Sequence, residues 1–150
     1  MRNANKSVWK RYQYLLNGML LALPVLFLYQ SLTPSFPASL GTKTVGEFEI
    51  SAMPFDANPP YLHDGVYVKD FMVTFTKGNV DEIRQAYLNI GEKARPLNQM
   101  QRASEGILHG SRYGKHVHAL ASESIHPSDK VWLTIEHWDG RIEQVNWDWR

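Results

Sequence analysis

No cysteine occurs among the 150 residues. That excludes a disulfide scaffold, a thiolate zinc site, an iron–sulfur cluster, a cysteine nucleophile and a lipid-modified cysteine. Acidic residues are missing from the first 46 positions, since all 15 lie at Glu47 or later. Between Arg11 and Lys43 there is no charge of either sign. Catalytic motifs are lacking too. The chain has no phosphate-cradling glycine loop, no dinucleotide fingerprint and no Gly-x-Ser-x-Gly elbow, so the expectation is a protein that is not an enzyme. The formal net charge of +1 is too small to mark a nucleic-acid binder. There are no internal repeats and no low-complexity tract.

What is present is distributed unevenly. Arg2, Lys6, Lys10 and Arg11 crowd the start, so the first 40 residues carry +4 and the remainder carries −3. Residues 12–32, YQYLLNGMLLALPVLFLYQSL, are uncharged. At about 1.5 Å per residue, such a helix crosses a hydrocarbon core of roughly 30 Å. Trp9, Tyr12 and Tyr14 at one end and Tyr29 at the other suit the two membrane interfaces. Pro24 is tolerated inside a membrane helix. A basic start and an apolar middle also describe a cleaved signal peptide, here with cleavage after Ser35. The length of the run and its aromatic flanks favour an anchor. The organisation expected is a cytoplasmic basic segment (1–11), a transmembrane anchor (12–32), a linker rich in proline and hydroxyl residues (33–45) and an extracytoplasmic domain (46–150).

In that domain the hydrophobic period is two rather than 3.6. Phe48, Ile50 and Ala52 alternate, as do Phe71, Val73 and Phe75 in a long run over 65–78. Residues 83–90 read as a strand with Ala86, Leu88 and Ile90 inward, paired at hairpin distance across Gly78-Asn79. Residues 94–97 read as a short edge strand, and 97–106 as one or two helical turns ended by Gly106. Strands follow at 115–122, 131–137 and 141–150. The last two form a hairpin whose register can be argued from its faces. A three-residue loop of Trp138, Asp139 and Gly140 puts Val131, Leu133 and Ile135 on the face of Val145, Trp147 and Trp149. A two-residue loop would set them against polar side chains. Six or seven short strands with frequent turns predict an all-β domain, an antiparallel immunoglobulin-like sandwich, preceded by the one transmembrane helix.

Three of the six histidines fall in HGSRYGKHVH (109–118). His116 and His118 are two apart on a strand and leave the same face. His109 precedes a turn containing Gly110 and Gly114 that can fold back over that face. His109, His116 and His118 are therefore candidate metal ligands, and neutral imidazole suits Cu(II) or Zn(II). The alternative is that they are half-exposed strand residues bonding to the loop before them. His63-Asp64 offers a further imidazole or carboxylate, and Asp64-Gly65 equally reads as the start of a strand. Met53, Met72 and Met100 are soft donors of unassigned position.

In outline the chain resembles the small, single-pass, membrane-anchored sandwich domains that bacteria use around copper handling and respiratory-complex assembly. The resemblance lies in the architecture: an anchor, a Pro/Ser spacer and a strand-rich domain with clustered histidines. It implies a bacterial inner-membrane protein with its domain in the periplasm. The function expected is transition-metal binding or delivery. The alternative is an accessory or assembly subunit of a membrane protein complex that binds no metal. The bilayer and such a complex are the expected partners.

Overall fold

A computed structural model describes residues 4–149. Arg2 of the basic segment and Arg150 lie outside them. The chain forms two units, residues 1–35 and 36–150. The first contains helix α1 (Ala4–Leu32), which runs unbroken through Pro24. Its stretch Val8–Leu32 is long and apolar enough to cross a membrane, and none of its residues is buried by protein. The apolar residues there have no protein core to enter.

The second unit is built on strands β1 (Thr42–Val45), β2 (Phe48–Pro54), β3 (Tyr61–His63), β4 (Val66–Lys77), β5 (Ile83–Gly91), β6 (His109–Gly110), β7 (Lys115–Leu120), β8 (Lys130–His137) and β9 (Ile142–Asp148). A single turn of helix, α2 (Leu97–Met100), lies between β5 and β6. All nine strands belong to one sheet in the order β1-β2-β4-β7-β5-β8-β9, with β3 added to β4 and β6 to β7. The sheet curls like a barrel. Strand β1 comes beside β9, and the Trp147 indole Nε1–H donates to the Gly41 carbonyl at 2.8 Å.

All-β character is therefore seen, but two packed antiparallel sheets are not. β5 and β7 run parallel. The expected hairpin of β4 with β5 is replaced by an insertion of β7 between them. The cause is local. The Asn79 side chain accepts the Asp81 N–H and its carbonyl accepts the Glu82 N–H, starting a 3-10 turn (Val80–Glu82) that carries β5 away from β4. Gly106 to Leu108 then lie between β5 and β7. The Leu88 N–H donates to the Gly106 carbonyl, and the Gly106 N–H to the His118 carbonyl. Gly106 has φ of +93°, and a Cβ there would meet Met100 Cε at 2.9 Å, so glycine is required.

Two smaller readings also change. Residues 94–97 form no strand, and Pro96 precedes the first turn of α2, where its missing N–H costs nothing. The linker ends earlier than position 45, since Thr42–Val45 are β1 and the Leu40 N–H already bonds the Ala52 carbonyl. The hairpin register is as argued. Val131 faces Trp147 and Leu133 faces Val145, with His137 opposite Arg141 and Gly140 at φ +87°.

The interior is lined by alternate residues of each strand: Phe48, Ile50 and Ala52 of β2, Phe71 and Val73 of β4, Val117 and Ala119 of β7, Leu88 and Ile90 of β5, Leu133 and Ile135 of β8, and Val145 and Trp147 of β9. Lys69 of β4 shares that inward parity. Lys69 is 2% exposed, and its ammonium donates to Asp56 Oδ1 at 2.8 Å and the Asn58 carbonyl at 2.6 Å. The Trp149 ring centroid is 5.8 Å away. The hydrogen bond from Lys69 holds the Asp56 carboxyl below its ordinary range.

Breaking this pair from its exposed side should cost most. Asp56→Ala leaves a buried cation without counter-charge and is expected to destabilise by about 3 kcal/mol. Lys69→Met, leaving a hydrated carboxylate, should cost about 1 kcal/mol. Because the Asp56 pKa is depressed by folding, its contribution is complete above the ordinary carboxylate range. It is lost as pH falls through the lowered value. Urea unfolding followed by tryptophan fluorescence at neutral and acidic pH checks both statements. Equal costs for the two variants would contradict them.

Candidate metal centre

The outward face of the barrel wall is set by the β4–β7 register. Asp70 pairs with His118 and Met72 with His116, while Phe71 pairs with Val117 and points inward. Strand β3 adds Tyr61 and His63 from the far side of β4, through the two-residue turn Asp64-Gly65, both with positive φ. Strand β6 pairs His109 with His116. Glu105 arrives from the segment after α2. Four of the six histidines thus gather on one patch, together with two carboxylates and a phenol.

Its centre is Asp70. Asp70 Oδ1 lies 2.5 Å from His118 Nδ1 and 3.8 Å from His116 Nε2. These three ligand atoms all lie within 4.8 Å of one another. The Tyr61 hydroxyl donates to both Asp70 oxygens at 3.1 Å and stands 3.3 Å from His118 Nδ1. Burial, then the bond to Asp70, push the Tyr61 pKa up to about 12, so it remains a neutral donor. The rings of His116 and His118 meet edge to face at 4.6 Å, and Phe55 covers His116 at 5.3 Å.

The tautomers follow from the outside inwards. His109 Nδ1 is 3.2 Å from the Ile107 carbonyl, an acceptor only, so Nδ1 carries the proton and His109 Nε2 is an acceptor. His116 Nδ1, 3.2 Å from that atom, must then be the donor. His116 Nε2 is left with a bare lone pair directed at the Asp70 side of the patch. Burial first, then the charge of neighbouring His118, lower the His116 pKa, with Asp70 opposing the shift. The imidazole is accordingly neutral at pH 7 and available as a ligand.

The three histidines singled out from sequence are brought together, but on different terms. His116 and His118 present nitrogens to a common point with Asp70. His109 stands behind His116 and sets its tautomer, as the outer partner of a ligand does. Asp70, Tyr61 and Glu105 escaped the sequence reading. The available signal was Lys69-Asp70, two charges in the middle of an otherwise apolar strand. Of the methionines, Met72 is the cross-strand neighbour of His116 and Met53 that of Met72, whereas Met100 is buried with Tyr87 and Leu120. His126 lies in the turn before β8, and His137 is buried at the end of β8 against Phe48.

A family model described as "Uncharacterised conserved protein UCP029505" matches residues 8–150, and the chain belongs to that family. No curated protein and no solved structure matches it.

The tautomer relay is open to measurement by histidine NMR on the metal-free protein. His116 should titrate below the ordinary imidazole range. His118→Ala should move it up, by relieving burial and removing a neighbouring cation. Asp70→Asn should move it further down, by removing the one group that favours its charged form. A rise in Asp70→Asn would contradict the assignment.

Proposed function

We propose that this chain, as a member of that family, is a membrane-anchored protein of the bacterial inner membrane. In this reading its barrel lies in the periplasm, where it binds a transition metal for storage or delivery without catalysing a reaction. One observation carries the reading. Asp70 Oδ1, His116 Nε2 and His118 Nδ1 already lie within 4.8 Å of one another on a partly exposed wall. Two imidazoles and a carboxylate on a rigid sheet suit Zn(II) or Cu(II), and the open side leaves room for ligand exchange. In the metal-free state a proton bridges His118 and Asp70. A metal ion would take its place while the ring proton moves to the other nitrogen of His118, and binding weakens as the medium is acidified because protonated imidazole cannot ligate. The basic residues before the uncharged run, Arg2, Lys6, Lys10 and Arg11, favour a cytoplasmic N-terminus.

Calorimetric titration of the untagged full chain in detergent micelles with Zn(II) or Cu(II) should show one ion bound per chain. His118→Ala is expected to cost on the order of a hundredfold in affinity. His109→Ala should cost about tenfold, the scale for a residue that orients a ligand. His126→Ala should cost nothing. If neither ion binds, or all three variants behave alike, the metal reading fails and the accessory-subunit reading takes its place.

The topology is checked separately. An alkaline phosphatase fused to the C-terminus should be active in intact cells, since that enzyme folds only where disulfides form. An inactive fusion alongside an active cytoplasmic reporter would reverse the orientation.

A further inference from the structure

A second set of donors adjoins the first. His63 stacks on His118, with ring centroids 4.9 Å apart and planes 28° from parallel. His63 Nε2 lies 3.7 Å from Glu105 Oε1. Ligand atoms of His63, Glu105 and His118 all fall within 4.8 Å of one another. The Glu105 side chain is only 14% exposed, and among the described residues its one ion-pair partner is His63. No lysine or arginine neutralises it there. A carboxylate so withdrawn from water is favoured by a cation placed beside it.

Resting on the metal reading above, we propose a second metal position made by His63, Glu105 and His118. A single ion exchanges between it and the Asp70–His116–His118 position by pivoting on His118. The sharing of one imidazole makes the two positions alternatives, one ion at a time. Each supplies two imidazoles and one carboxylate, so the ion keeps the same donor types and the same charge balance in both. His63 sits on a three-residue strand at the end of a two-residue turn, at the rim of the sheet. The Asp70 position lies further along the wall, under Tyr61 and Phe55. No bond of the protein changes in the exchange, only metal–ligand contacts.

Two measurements on the full chain in detergent test this. The double variant Asp70→Asn with His116→Ala strips the first position of two donors. It should still bind one Zn(II), ten- to a hundredfold more weakly than the wild type, and Glu105→Gln added to it should abolish binding. Separately, Cu(II) electron paramagnetic resonance of the wild type at one equivalent should show two overlapping signals, of which Glu105→Gln removes one. The spectrum needs no double variant to fold. A double variant that folds yet binds nothing, residual binding indifferent to Glu105→Gln, or a single Cu(II) signal unchanged by Glu105→Gln would each overturn the second position. All three leave the Asp70 position intact. A wild type that binds neither ion would overturn both readings.

Discussion

The pairing of β4 with β7 is the constraint on which the rest of this protein depends. Phe71 opposite Val117 and Asp70 opposite His118 are alternate rungs of the same ladder. With a side-chain period of two, burying the first pair obliges the second to face outward. A slip of one residue would turn His116 and His118 into the core and expose Val117 and Ala119, both wholly buried here. Hydrophobic burial of the inward set, worth roughly 1.5–3 kcal/mol for each large side chain, thus holds the ligand geometry in place. The site requires no strained element of its own.

That pairing in turn requires the departure from a simple meander. Strand β7 lies beside β4, and β5 leaves β4 at the 3-10 turn after Asn79. The strip from Gly106 to Leu108 fills the space between the two parallel strands. The same crossing segment carries Glu105 and ends in β6, which delivers His109 behind His116. The irregular part of the barrel and the chemically rich part are therefore one structure. A regular hairpin forms β8 and β9, where the outward residues form no comparable donor cluster among the described residues.

The patch is polar yet organised. A backbone carbonyl orients His109, His109 orients His116, and Tyr61 and His118 converge on Asp70. Each donor meets an acceptor, so the metal-free arrangement is stable by itself. It holds lone pairs ready without an ion to gather them. Only a proton between His118 and Asp70 stands where a cation would sit. In the proposed metal reading, proton and metal would compete at that point.

Local patterns alone were enough for several features. A 21-residue uncharged run reads as an apolar helix long enough to cross a membrane. Alternation identified β2, β4, β5 and β8. The faces of the last hairpin decided its three-residue loop, and His116 with His118 had to share a face whatever the rest of the chain did. All of these depend on neighbours within a few residues. The sheet order, the insertion of β7 and the barrel closure of β1 on β9 depend on which distant strand offers the better buried partner, and no local pattern encodes that choice. The same holds for the site. His118 meets Asp70 from 48 residues away and Tyr61 from 57. His109 meets His116 rather than Asp70 because of the direction in which β6 folds back on β7. Donor type is a property of the residue, but the role of a donor follows from the nitrogen it presents, and only the tertiary structure determines that.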